Sequence, residues 1–177
     1  LYASSTIITD GSATTREVDK CTDAGDVNLF NITEGTIYLY VNNYGQPLNT
    51  YNNITLSDNS TSDFIRFQFQ ASTPTVGTIK VTVYNGSTQA EYTIPDVIEN
   101  QKNKVAISFK ENEFKVYFNG VLKNTDTSGV VPTGFLEFNF ADEGGTSRFF
   151  EGKVYDARIY DTVLTQSELE TLTTLWE

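Results

Sequence analysis

A chain with no histidine and one cysteine, Cys21, has few routes to catalysis. Histidine is the commonest general base and a member of every Ser-His-Asp or Cys-His arrangement, so those mechanisms are closed. One thiol without imidazole cannot complete a tetrahedral zinc shell. Paired carboxylates remain, since glycoside hydrolysis needs two of them facing one cleft. Asp126-Thr127-Ser128-Gly129 has the form of an aspartic-protease loop, but it occurs once and that chemistry needs two facing aspartates, so it reads as a turn. Ser167-Glu168-Leu169-Glu170 is better explained as the start of a helix, because Thr165-Gln166-Ser167-Glu168 forms a capping box.

Binding is the stronger expectation. Sugar recognition needs an exposed aromatic ring for stacking and amides or acids that fix hydroxyl orientation. Tyr38, Tyr40, Tyr44, Tyr51, Tyr84 and Tyr117 are available, with Asn42 and Asn43 close in sequence to Tyr44. Most tyrosines of a sandwich pack on a half-buried face. Tyr44 and Tyr51 stand out because their segment reads as an Asn-rich loop, and Asn42 and Asn43 are the amides beside them.

The elements that must position these residues are strands. Phe and Tyr together number 22, and Thr, Val and Ile are frequent, as suits pleated surfaces. Period-two alternation predicts strands at Thr36 to Val41, Asn53 to Leu56 and Phe64 to Gln70. A hairpin from Gly77 to Ile94 turns at Asn85-Gly86, and Pro95 ends it. A meander follows, with Val105, Ile107 and Phe109, then Phe114, Val116 and Phe118, turning at Asn119-Gly120. Phe135 to Phe140 should set Leu136, Phe138 and Phe140 on one side, before an acidic loop from Ala141 to Ser147. Phe149 to Tyr160 is the last strand, with a bulge near Asp156. Leu169, Leu172 and Leu175 then form a short helical stripe that covers an edge or end. Ten to twelve short antiparallel strands predict an all-β, two-sheet jelly-roll sandwich with a short C-terminal helix.

The chain is read as one domain over residues 1–177. The net charge of −11 disfavours nucleic acid and anionic membranes as partners. No apolar run reaches the ~18 residues of a membrane span. Methionine is absent, as expected of a piece excised from a longer protein.

The second half carries a resemblance. Asn103 to Lys110, Phe114 to Val121, Thr125-Asp126-Thr127-Ser128-Gly129 with Pro132, and Gly152-Lys153-Val154 through Arg158-Ile159-Tyr160 to Leu164 resemble the laminin-G-like, concanavalin A-like lectin jelly roll. The copies most similar are those of bacteriophage tail, fibre and other virion proteins, and the match spans about Glu34 to Thr174. The resemblance implies a non-catalytic module on the virion surface that attaches to the host by binding a cell-surface glycan. The alternatives it leaves are a purely structural or assembly module, partnered by other virion proteins or by copies of itself, and a polysaccharide-degrading enzyme. The hydrolases of this fold carry a Glu-x-Asp-x-(x)-Glu strand. Glu17-Val18-Asp19 is the nearest match here, and Cys21 and Thr22 stand where the last Glu belongs. Relatives also bind calcium at the sandwich rim. That makes Asp142 and Glu143 the candidate calcium ligands, with Asp126 or Asp58 if the loops converge.

Overall fold

The computed structural model describes residues 25, 30, 33–43, 50–73 and 75–175. Ten strands and one helix follow in order: β1 (Gly35–Asn43), β2 (Tyr51–Ser57), β3 (Asp63–Ala71), β4 (Val76–Asn85), β5 (Thr88–Ile98), β6 (Lys102–Lys110), β7 (Glu113–Phe118), β8 (Val121–Asp126), β9 (Glu137–Asn139), β10 (Gly152–Tyr160) and α1 (Gln166–Thr173). One five-stranded sheet runs β10-β1-β6-β7-β8 and the other β5-β4-β3-β2-β9, and the described strand pairings are antiparallel. This is the expected two-sheet sandwich.

Alternation decides which face is which. Ile37, Leu39 and Val41 of β1 and Val105, Ile107 and Phe109 of β6 face inward. They meet Ile65, Phe67 and Phe69 of β3 and Ile79, Val81 and Val83 of β4 from the other sheet. All are essentially fully buried. Burying each such side chain contributes roughly 1.5–3 kcal/mol relative to leaving it in water.

Turn chemistry sets the registers. Asn119 and Gly120 both adopt positive φ, 47° and 83°, which gives the mirror-image turn that matches strand twist. The Asn85-Gly86 turn differs from expectation. Tyr84 pairs with Thr88, so the connection is longer than two residues, and of Asn85 and Gly86 only the glycine takes positive φ. The bulge near Asp156 is present: Tyr40 pairs with Asp156 but Val41 pairs with Val154, so Tyr155 is the extra residue. Gly152 faces Asn43 across the β1–β10 ladder, where a Cβ would collide with the Asn42 carbonyl oxygen.

Three expectations are corrected. Pro95 does not end β5, which runs on to Ile98. β5 is an edge strand, and the pairings Gly77 with Val97 and Ile79 with Ile94 leave Pro95 and Asp96 in a bulge, with Asp96 at φ 55°. An edge bulge tolerates the missing N–H of proline. Leu136 is exposed rather than aligned with Phe138, because the strand there is only Glu137–Asn139 and Phe135 supplies the buried ring before it. The helix covers neither an edge nor an end. Leu169 packs on Tyr38, Ala106 and Tyr117, so α1 lies on the outer face of the β10-β1-β6-β7-β8 sheet.

Candidate functional site

The outer face of the β5-β4-β3-β2-β9 sheet is polar where its inner face is apolar. Gln68 and Gln70 of β3 alternate with the buried Phe67 and Phe69, and Lys80 and Thr82 of β4 alternate with Ile79, Val81 and Val83. Tyr51, at the start of β2, pairs directly with Gln70. Opposite residues on one face stand about 5 Å apart at Cβ, so ring and amide are neighbours. Tyr51 is 42% exposed, and the Arg148 guanidinium stands 5.9 Å from its ring centroid. The Gln68 and Gln70 amides are half-buried and hydrogen-bond to none of the described residues. Lys80 and Glu91 close the far side as an ion pair at 2.9 Å.

The loop after β9 walls the other side of this face. The Thr55 hydroxyl donates to the Ala141 carbonyl at 2.9 Å and the Ser57 hydroxyl to the Glu143 carbonyl at 2.7 Å. The Asn53 backbone N–H donates to the Arg148 carbonyl at 2.9 Å, which continues the ladder past the end of β9. Arg66 lies over the Phe64 ring at 4.8 Å, Phe64 stacks on Tyr84 at 5.0 Å, and the Arg66 guanidinium meets Glu143 at 2.6 Å. The result is a surface with one exposed ring, free amides and a flanking cation, bounded by a pinned loop. Such a surface can stack a pyranose and orient its hydroxyls.

The residues expected to form the sugar site divide between the two sheets where they are described. Asn42 and Asn43 belong to β1, in the opposite sheet from Tyr51, and Tyr44 lies outside the described residues. The strand does not stop at Val41, because Asn42 pairs with Lys153 and Lys102 and Asn43 with Gly152. Both asparagines are buried and spend their amides on the turn between β5 and β6. Asn42 Nδ2 donates to the Asn100 carbonyl at 3.2 Å and Asn43 Nδ2 to Glu99 at 3.0 Å. Burial there pushes the Glu99 carboxyl up. Tyr51 is exposed as expected, but on a strand rather than a loop.

Asp142 and Glu143 are spent on protein donors. Burial alone would raise Asp142. Its carboxyl is nevertheless held below the usual range by the Ser147 hydroxyl and by the backbone N–H groups of Ser147 and Thr146, at 3.1 and 2.8 Å. Glu143 is tied to Arg66. These acids therefore shape the loop, and among the described residues no group of three or more His, Cys, Asp or Glu is placed to hold a metal ion. Sequence reasoning missed Gln68, Gln70 and Arg148. The glutamines were legible as the polar phase of β3, but their meeting with Tyr51 depends on strand register.

Two five-stranded antiparallel sheets, packed face to face with a capped helix on one outer surface, define a lectin-type jelly roll. A model of the laminin G type, described as the concanavalin A-like lectin/glucanases superfamily, matches residues 19–170, and the chain belongs to that family. Solved structures share the fold at low identity. The carbohydrate-binding module of the Ruminococcus gnavus intramolecular trans-sialidase, bound to α2,3-sialyllactose, aligns at TM-score 0.66 and 16% identity, covering 83% of this chain and 86% of that one. Domain 4 of an extracellular arabinanase from Geobacillus stearothermophilus, in complex with arabinotriose, aligns at TM-score 0.57 and 20% identity over 85% and 70% of the two chains. A pentraxin from Limulus polyphemus aligns at 0.59 and 15%, over 80% and 70%. No curated protein sequence matches the chain.

Proposed function

We propose that this domain is a non-catalytic glycan-binding module that serves attachment at a bacteriophage virion surface. The observation that carries the binding half is the pairing of exposed Tyr51 with the uncommitted Gln70 and Gln68 amides, beside Arg148. Two solved structures of this fold are complexes with oligosaccharides, which supports the same reading. The virion context rests on the phage-like sequence elements around Asn119-Gly120, Asp126 to Pro132 and Gly152 to Tyr160. A non-enzymatic role accords with the carboxylates beside this face. Glu91 is paired with Lys80 and Glu143 with Arg66, so neither is an unpaired acid of the kind a glycosidase sets on each side of its substrate. One shallow site gives weak binding, which repetition on a particle would multiply.

The test is a glycan array rich in bacterial surface polysaccharides, probed with multivalently displayed domain, with and without calcium. Saturable binding that falls at least tenfold in Tyr51→Ala and Gln70→Ala is the expected result. Calcium dependence would return Asp142 and Glu143 to the site. No binding by the folded, multivalent domain would overturn the lectin reading and leave a structural virion module. Shortened glycan products would point to a hydrolase.

A further inference from the structure

The chain is strongly acidic, yet four of its 12 basic residues gather on the opposite outer face, over strands β10, β1 and β6. Lys102 and Lys153 flank Asn42 from its two neighbouring strands, and both side chains are exposed. Neither has a carboxylate partner among the described residues. In the next row, Lys104 sits over the Tyr40 ring at 5.3 Å. Arg158 follows one row further, already paired with Asp156 at 2.6 Å.

The bulge in β10 puts an aromatic ring into this cluster. Tyr155 is the unpaired extra residue, and its ring packs on Tyr40 with centroids 4.8 Å apart. Lys153 Nζ stands 4.7 Å and Lys102 Nζ 5.1 Å from the Tyr155 centroid. Two ammonium groups therefore share one ring. The ring's π face offsets part of their mutual repulsion, and an anion placed between them would be attracted by both.

We propose that this face is a docking surface for an anionic polysaccharide, whose acid groups take Lys102 and Lys153 and whose sugar ring lies against Tyr155. Charge complementarity selects an acidic partner, and the exposed part of the Tyr155 ring offers apolar contact to a sugar between the two ammonium groups. The surface is on the other sheet from Tyr51, Gln68 and Gln70, so this inference stands apart from the glycan-binding reading of that face and can fail without it.

The experiment measures binding of the domain to polygalacturonate and dextran sulfate at several salt concentrations, with polyglutamate of matched length as a polyanion lacking sugar rings. Wild type is expected to bind at least one of the two polysaccharides more tightly than polyglutamate, and which one separates carboxylate from sulfate recognition. Lys102→Ala/Lys153→Ala should weaken binding at least tenfold and flatten its salt dependence, since both side chains are exposed and their removal leaves the core intact. Tyr155→Ala should weaken polysaccharide binding severalfold with the salt dependence kept. Tyr51→Ala should change nothing. Equal binding of polyglutamate, wild-type affinity in the lysine double variant, dependence on Tyr51, or no binding to either polysaccharide would each overturn the proposal.

Discussion

The Arg66 guanidinium and the Glu143 carboxylate meet at 2.6 Å across 77 residues of sequence, both largely shielded from water. Arg66 is held from below by the Phe64 ring, and Glu143 belongs to the loop that borders the Tyr51 face. Removing one partner strands the other charge in a poorly solvated place. Arg66→Ala and Glu143→Ala should each cost about 2–4 kcal/mol in urea denaturation. The double variant should cost less than the two losses added, because the second substitution removes the stranded charge. Strict additivity would show that the contact contributes nothing.

Glu99 provides a pH-dependent prediction. Its carboxyl is buried behind Asn43 and pushed up by that burial, so folding favours the protonated form. The native state then has its full stability where Glu99 is protonated in both states, below about pH 4, and loses some as pH rises through the elevated folded value. Glu99→Gln keeps an acceptor for Asn43 Nδ2 and cannot ionise. It should melt higher than wild type at pH 7, and the two curves should converge near pH 4. A lower melting temperature at pH 7 would mean that the ionised carboxylate has a compensating partner.

The helix is anchored at its two ends by different devices. Thr165 and Glu168 form the full capping box, whereas the last turn contains no basic residue. The charge there comes from the sheet below: Lys104 Nζ donates to the Thr174 carbonyl at 2.7 Å. Thr165→Ala should cost about 1 kcal/mol and Lys104→Met roughly 0.5–1 kcal/mol. Lying at opposite ends, the two losses should add. Hydrogen exchange across Gln166–Thr173 would read them directly. Unchanged protection in Lys104→Met would refute the role of the lysine.

What was legible in the sequence was what local chemistry decides. Alternation gave β3, β4, β6 and β7, and Asn119-Gly120 gave its turn, because those patterns act over a few residues. The capping box predicted α1 down to its hydrogen bonds. What stayed hidden depends on distant partners. Pro95 is tolerated because β5 lies at an edge, which only the assembled sheet establishes. Asn42 and Asn43 read as loop amides, and pairing with β10 and the turn before β6 turns them into buried strand residues. The acidic loop offered Glu143 as a candidate calcium ligand, and its pairing with Arg66 depends on a strand 77 residues away.

The two sheets also differ in how far apart in the chain their neighbours lie. Strands β2 to β5 succeed one another as a meander, so each finds its partner across one turn. Among the described strands β1 pairs with β6 and β10, so its ladder partners lie at Lys102 and beyond. Loop-closure entropy is therefore met early for β2 to β5 and late for β1. During synthesis the apolar Ile37, Leu39 and Val41 emerge before either of the described strands that pair with β1. The kinetic hazard of the domain therefore concentrates in that one waiting strand.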